Sequence, residues 1–209
     1  MWGRVPLNTT SVYRHIYFGK QPEHDIAGPP PYQKFATADE PSTTQKSLAM
    51  YALTLSAELA GVTNLRPQDT QENNFFYTFK VQCTSCRETH PNPIAVNRFE
   101  NNEMSGSRGE ANFVWKCKNC KRESSATIKA APTPYEQTEP AKAQKIIEFD
   151  CRGLEFTEFL PEGEWLVDGI DSNTKFEGVE LTEGEWFDYD EKAGEEVSIK
   201  DLKWDIVRA

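Results

Sequence analysis

Two C-x-x-C pairs constrain this sequence more than any other feature. The first pair is Cys83 and Cys86, and the second is Cys117 and Cys120. Each pair places two thiolates on one tight turn, and two such turns that face one another supply four sulfurs in a tetrahedron, with Zn–S distances of about 2.3 Å. A single pair would also suit a redox centre or a haem attachment site, whereas two pairs in one chain indicate a metal site. The spacing therefore predicts one structural zinc ion held by these four cysteines, with iron as the alternative, since four cysteines can hold either metal.

The sequence around the cysteines predicts antiparallel strands that lead into both turns. Apolar residues alternate along residues 75–82 up to Cys83, residues 111–116 are predicted to form a strand that leads to Cys117, and a return strand is expected after Cys120. This is the layout of a zinc ribbon, in which the metal joins the ends of hairpins. Basic residues, which can offset the negative charge of the sulfurs, crowd these turns. They are Lys80, Arg87, Lys116, Lys118, Lys121 and Arg122.

The remaining cysteine and the histidines are expected to lie outside the metal site. Four cysteines fill a structural zinc site, so His90 is not expected as a ligand. Cys151 continues an alternating apolar pattern and is expected in the core, where free cysteines behave as small hydrophobes. A reactive thiol or a fifth ligand is the alternative for Cys151. His15 and His24 lie near the amino terminus and are not assigned to the site.

Residues 1–49 differ in composition from the rest of the chain. Six of the 13 prolines lie there, and the apolar residues follow no period of 2 or 3.6. Such a segment cannot bury enough apolar surface to offset its ordering entropy, so a disordered N-terminal extension is predicted. A transit peptide is the less favoured interpretation, because no amphipathic stripe is present. Met50 directly precedes the first strand pattern, which suggests that translation can begin there.

The two parts of the predicted folded region resemble one another weakly. Residues 58–62 and residues 150–154 each end a first strand with a glycine turn. This echo predicts a mainly β fold of two similar antiparallel units packed together. Residues 50–143 are expected to carry the zinc-ribbon-like site, and residues 144–209 to form an acidic second half. Together they form the predicted zinc-binding β domain, residues 50–209.

Composition limits the partners that this chain is expected to bind. The net charge is −10 and the isoelectric point about 4.9, so nucleic acid and anionic membranes would be repelled. The sequence contains no run of eighteen apolar residues and no signal-peptide pattern. Its five cysteines suit a reducing compartment better than a disulfide framework. We expect a monomer in the cytoplasm, with the nucleus as an additional location, that binds a protein partner and no membrane.

Several longer motifs resemble those of one known family. They are TNLRP at residues 63–67, a GSRGEA-type turn before K-C-K-x-C, I-x-E-F-x-C-R-G-L-E at residues 146–155, and W-x-D-Y-D-E-K at residues 186–192. In combination they are similar to the eukaryotic CXXC-motif-containing zinc-binding protein family, over roughly residues 50–209. The resemblance implies a mainly β fold with one zinc ion on the four cysteines, and it implies no enzymatic activity.

The filled ligand set favours a structural role over chemistry. Catalytic zinc keeps an open position for water or substrate, and four cysteines leave none. We therefore expect a non-catalytic interaction module and no enzyme. One alternative is a thiol-based metal-handling or redox protein, since C-x-x-C thiols exchange disulfides and bind soft metals. Another is a zinc-ribbon nucleic-acid binder that contacts phosphates through Lys118, Lys121 and Arg122.

Overall fold

The computed structural model describes residues 48–105 and 108–209. The predicted disordered extension, residues 1–49, lies outside the described residues except at positions 48 and 49, which belong to a strand. The described residues form fourteen β-strands and no helix, as the predicted mainly β fold requires. Consequently, no helix in this part of the chain is long and apolar enough to cross a membrane.

Eight strands precede residue 143. They are β1 (Leu48–Ala60), β2 (Val62–Pro67), β3 (Tyr77–Cys83), β4 (Ile94–Val96), β5 (Asn102–Glu103), β6 (Glu110–Ala111), β7 (Phe113–Lys116) and β8 (Glu123–Ile128). Six strands follow it. They are β9 (Gln144–Arg152), β10 (Leu154–Leu160), β11 (Trp165–Gly169), β12 (Lys175–Val179), β13 (Trp186–Asp190) and β14 (Glu195–Arg208).

The strands pair in an order that relates the two halves of the chain. A six-stranded sheet has the order β13-β14-β1-β9-β8-β7, two three-stranded sheets have the orders β10-β3-β4 and β12-β11-β2, and β5 pairs with β6. The six main strands of the first half correspond in order to the six strands of the second half, so that β1, β2, β3, β4, β7 and β8 match β9 to β14. Exchanging each strand with its counterpart leaves the order of the large sheet unchanged and turns each of the two three-stranded sheets into the other. The predicted pair of similar antiparallel units is therefore confirmed. The halves are also interleaved, because β2 lies beside β11 and β10 lies beside β3.

The two central strands of the large sheet have the alternating pattern that predicted them. In β1, Leu53, Leu55 and Leu59 face the core, and β9 lies antiparallel to it with Ile147 opposite Leu53. The strand begins at Leu48, three residues earlier than its apolar alternation indicates. Pairing with β9 extends it, since backbone hydrogen bonds do not depend on side-chain polarity.

Aromatic side chains fill the space between the sheets. Phe79 of β3 is fully buried and stacks on Phe156 of β10, with ring centroids 4.3 Å apart. The rings of Phe149 and Phe159 each lie 5.2 Å from it. Such contacts add to the free energy gained from burying the ring area. They attach the small sheet that carries the first C-x-x-C turn to the large one.

Two carboxylates hold loops and strands together through basic partners. The buried Asp69 carboxylate accepts hydrogen bonds from Arg98, at 2.7 Å, and from the Tyr77 hydroxyl, at 3.0 Å. Asp168 of β11 forms ion pairs with Arg66 and Lys175, at 3.2 and 2.9 Å. Burial raises the pKa of Asp168, but the hydrogen bonds from these two side chains outweigh it and hold the pKa below its ordinary value.

Candidate metal centre

The first C-x-x-C turn, residues 83–86, lies at the end of β3. Its backbone is closed by hydrogen bonds from Arg87 N to Cys83 O, at 2.9 Å, and from Cys83 N to Glu88 O, at 2.8 Å. Arg87 has a φ of 61°, an uncommon conformation for a residue other than glycine. Burial raises the pKa of the Cys83 thiol, but the N–H groups of Cys86 and Ser85 outweigh it, and the pKa lies below its ordinary value. This turn thus favours a thiolate at its first cysteine.

The second C-x-x-C turn, residues 117–120, connects β7 to β8 and has the same backbone pattern. Lys121 N donates to Cys117 O and Cys117 N donates to Arg122 O, both at 3.0 Å. Lys121 has a φ of 60°. We call these two turns the first and the second knuckle. Each of them is positioned by a strand on its amino-terminal side, as the sequence predicted.

The four predicted ligands lie together. The sulfur of Cys83 is 3.7 Å from that of Cys120, the sulfur of Cys86 is 3.6 Å from that of Cys117, and all four lie within 4.8 Å of one another. A tetrahedron with Zn–S bonds of about 2.3 Å has edges of about 3.8 Å. A disulfide would require about 2.05 Å. The donor set and its spacing therefore fit one tetrahedral zinc ion.

The two cysteines of each knuckle differ in exposure. Cys83 and Cys117 are fully buried and belong to the hydrophobic core, whereas Cys86 and Cys120 are partly exposed. The N–H of Arg122 lowers the pKa of the Cys120 thiol, but burial and the three neighbouring sulfurs raise it to about 11. Four thiolates so close together repel one another, so a divalent cation is the group that would hold all of them deprotonated.

The site joins two sheets, because the first knuckle belongs to the three-stranded sheet of β3 and the second to the six-stranded sheet. Arg122 makes a second link by donating to the Ser85 hydroxyl at 3.0 Å. The turn between β9 and β10 lies against both knuckles. The Gly153 carbonyl accepts hydrogen bonds from Thr84 N, at 3.1 Å, and from the Ser124 hydroxyl, at 2.9 Å. Sequence reasoning identified Gly153 as a turn and missed this contact, because nothing local connects it to the cysteines.

Two of the six predicted cations are held by carboxylates of β10. Lys80 pairs with Glu158 at 2.7 Å, and Arg87 pairs with Glu155. Lys121 donates to the Lys118 carbonyl at 2.6 Å. At Cys83, the groups that lower the thiol pKa are the backbone N–H groups of Cys86 and Ser85 and the neighbouring sulfurs, and none of these six cations is among them.

The remaining histidine and cysteine of the described residues have partners of their own. Nδ1 of His90 is 2.7 Å from the Asn92 carbonyl oxygen, and its ring contacts the ring of Trp115 edge-on. Cys151 is buried in β9, which confirms it as a core residue. Burial, with a smaller contribution from the Asp150 charge, raises the pKa of its thiol to about 12. His15 and His24 lie outside the described residues.

In the described part of the chain, fold and site together define an all-β domain with a four-cysteine metal centre between two sheets. The model of the eukaryotic family "CXXC motif containing zinc binding protein" matches residues 52–207. The "UPF0587 protein C2D10.03c" of Schizosaccharomyces pombe is 47% identical over 162 residues, which cover 78% of this chain and 100% of that protein. The "CXXC motif containing zinc binding protein" of Homo sapiens is 36% identical over 158 residues, covering 75% and 97%.

Solved structures show the same architecture. The structure titled "Crystal Structure of C1orf123" superposes with a TM-score of 0.70 at 36% identity, covering 77% of this chain and 99% of the other. A hypothetical protein from Plasmodium falciparum superposes with a TM-score of 0.67 at 24% identity, covering 75% and 98%, and supports the fold alone. The chain belongs to the eukaryotic CXXC-motif-containing zinc-binding protein family, as its motifs indicated.

Proposed function

We propose that this zinc-binding protein holds one structural zinc ion on its four cysteines and acts as a non-catalytic interaction module. The observation that carries the proposal is a closed set of four sulfurs that connects two sheets. A tetrahedral ion on four thiolates keeps no position for water or substrate, as in structural zinc sites and unlike catalytic ones. The ion would therefore serve the fold, and the function would depend on the surface that the fold presents.

The expected contribution of the ion is large compared with the stability of a domain. Binding of structural zinc to zinc-finger peptides releases about 10–16 kcal/mol, which becomes folding free energy. Domains of ordinary size are stable by about 5–15 kcal/mol. Because Cys83 and Cys117 belong to the same core as the aromatic cluster, loss of the ion should destabilise the whole domain rather than the knuckles alone.

Zinc removal tests the structural role. We would measure zinc content and circular dichroism of the purified chain while a chelator extracts the ion, and compare wild type with Cys151→Ala. That control removes a buried thiol that is not among the four clustered sulfurs. Both proteins should contain one zinc per chain and should unfold as zinc leaves. A zinc-free chain with an unchanged melting curve would contradict the proposal.

An exposed aromatic pair supports an interaction role. Phe187 and Tyr189 lie on β13, at the edge of the six-stranded sheet, and are 56% and 52% exposed. Aromatic side chains contribute much of the binding energy at protein interfaces. We propose a monomer that binds a protein partner through such a surface, in the cytoplasm or in the nucleus. Analytical sedimentation tests whether the chain is a monomer. Affinity capture of the protein partner, compared between wild type and a folded Phe187→Ser/Tyr189→Ser variant, tests whether this surface binds it.

A thiol-based metal-handling protein is the second candidate. The observation in its favour is that Cys86 and Cys120, one from each knuckle, are partly exposed, so that an incoming ligand has access to two sulfurs. Transfer would release zinc to a chromogenic chelator faster than the chain unfolds, whereas a structural site would release it at the unfolding rate. The nucleic-acid alternative would use Lys118, Lys121 and Arg122. Of these, Lys121 donates to the Lys118 carbonyl at 2.6 Å and Arg122 donates to the Ser85 hydroxyl at 3.0 Å.

A further inference from the structure

The second half of the chain repeats the backbone of the first knuckle. Gly169, at the end of β11, donates its N–H to Thr174 O at 2.8 Å and accepts from Asn173 N at 3.1 Å. Cys83 forms the same two backbone hydrogen bonds, since its carbonyl accepts from the residue four positions later and its N–H donates to the carbonyl five positions later. Asn173 has a φ of 54°, close to the 61° of Arg87 in the same place. Gly169 and Ser172 therefore occupy the positions of the two cysteines of the first knuckle.

The hairpin of β13 and β14 repeats the second knuckle. Gly194 N donates to Asp190 O at 2.7 Å, and Asp190 pairs with Glu195 across the hairpin. Gly194 has a φ of 73°, where Lys121 has 60°. Asp190 and Ala193 therefore occupy the positions of Cys117 and Cys120.

The contact with the neighbouring glycine turn is repeated as well. Ile170 N donates to the Gly61 carbonyl at 3.0 Å, as Thr84 N donates to the Gly153 carbonyl at 3.1 Å. The correspondence thus extends over two turns and the loop that lies against them. It agrees with the exchange that relates the strands of the two halves.

A hydrogen-bonded carboxylate lies where the first half has its sulfurs. Asp190 is 1% exposed. Its carboxylate accepts from the hydroxyls of Ser172 and Thr174, the latter at 3.0 Å, and from the N–H groups of Lys192 and Ala193, at 3.0 and 3.1 Å. The Ser172 hydroxyl contributes most to holding the pKa of Asp190 below its ordinary value. The carboxylate is therefore an anion at neutral pH, and it accepts hydrogen bonds from donors on both turns.

Gly169, the position that corresponds to Cys83, also points at this carboxylate. A Cβ added at Gly169 would lie 2.4 Å from the Ser172 hydroxyl oxygen and 2.6 Å from an Asp190 carboxylate oxygen. A side chain at that position would be directed into the cluster, as Cys83 is directed at the other sulfurs. Glycine leaves that space to the Ser172 and Asp190 side chains.

We call residues 169–174 and 190–195 together the double turn. We propose that this double turn is a metal-free counterpart of the cysteine centre, in which the Asp190 carboxylate replaces the ion as the group around which two turns close. The charges are reversed between the two halves. In the first, four thiolates would surround a cation, and in the second, hydrogen-bond donors surround an anion. The fold can therefore close this double turn with or without metal, and the two sets of side chains should be interchangeable.

Installing cysteines in the second half tests the proposal. A variant with Gly169→Cys, Ser172→Cys, Asp190→Cys and Ala193→Cys should bind two zinc ions per chain instead of one, and its Co²⁺–thiolate absorbance per chain should double. The matched control carries Glu191→Cys in place of Asp190→Cys, so that the number of thiols is equal, and it should bind one. A folded four-cysteine variant that binds one ion would overturn the proposal.

The reverse exchange tests the same equivalence in the first half. Cys83→Gly, Cys86→Ser, Cys117→Asp and Cys120→Ala, with Glu88→Thr to supply the donor corresponding to Thr174, should give a chain that folds without zinc. Replacement of all four cysteines by serine should not. Equal instability of the two variants would count against the proposal.

Asp190→Asn decides the question if the multiple variants do not fold. It keeps the shape of the side chain but puts an amide group in place of one acceptor oxygen. Backbone hydrogen exchange should accelerate together in residues 169–174 and 190–195 of the zinc-loaded chain, with residues 83–88 unchanged. Unaltered exchange in both second-half turns would refute the role of Asp190.

Discussion

Replacing one cysteine of the second knuckle by serine gives two variants that lose the same ligand count but differ in burial. Cys117 is fully buried, whereas Cys120 is partly exposed. If the roughly 10–16 kcal/mol of zinc binding is shared by four thiolates, each contributes about 2.5–4 kcal/mol. We therefore expect both Cys117→Ser and Cys120→Ser to weaken zinc binding by about 10²–10³-fold.

The buried position should carry an additional penalty. A hydroxyl at position 117 lies in the core, and leaving it without a partner costs about 1–3 kcal/mol, whereas a hydroxyl at position 120 can contact water. For a domain of this size, 1 kcal/mol changes the melting temperature by about 2–4 °C. Cys117→Ser should therefore melt about 2–12 °C below Cys120→Ser at equal zinc occupancy.

The assay combines chelator competition for zinc at neutral pH with thermal unfolding followed by circular dichroism, and Cys151→Ala serves as the control with all four clustered cysteines intact. Zinc affinity equal to that of wild type in either serine variant would refute the assignment of that cysteine as a ligand. Identical melting temperatures for the two variants would refute the reasoning from burial.

Four further substitutions test the fold that surrounds the site. Arg98→Met leaves the buried Asp69 carboxylate without its basic partner and should lower the free energy of unfolding by about 3–5 kcal/mol, whereas Lys80→Met, at an exposed pair, should change it by less than about 1 kcal/mol in a denaturant titration. Phe79→Ala should cost about 3–5 kcal/mol in the same titration, since the ring is fully buried. Because the pKa of Asp168 is lower in the folded chain than in the unfolded chain, its ionised carboxylate stabilises the fold at pH values above the unfolded pKa of about 4. This contribution is lost as the pH falls through the folded pKa. The stability difference between wild type and Asp168→Asn should therefore be largest at neutral pH and should shrink as the pH falls below the unfolded value, and a difference that grows on acidification would contradict this sign.

Local patterns in the sequence predicted the parts of the site that depend on local structure. The alternation along β3 and the apolar run of β7 lead directly into Cys83 and Cys117, so strand and knuckle follow from adjacent residues. The burial of Cys151 followed from the same alternation. Because two C-x-x-C pairs in one chain commonly bind one metal ion, the proximity of the two knuckles could be predicted without knowledge of the strand pairing.

The pairing of distant strands could not be predicted in this way. A strand pattern specifies which face is buried but not which strand lies alongside, so the interleaving of β2 with β11 and of β10 with β3 was missed. For the same reason, the carboxylates that pair with Lys80 and Arg87 were not identified. The counterpart at Asp190 was hidden because glycine, serine, aspartate and alanine share no chemistry with cysteine. The signal that pointed towards it was the echo between residues 58–62 and residues 150–154.

X-ray absorption at the zinc edge of the purified chain tests the central claim most directly, because it reports the atoms bound to the ion. A closed structural site on Cys83, Cys86, Cys117 and Cys120 predicts four sulfurs at about 2.3 Å and no lighter ligand. Three sulfurs with one nitrogen or oxygen at about 2.0–2.2 Å would show an open position or another ligand, and would contradict the account.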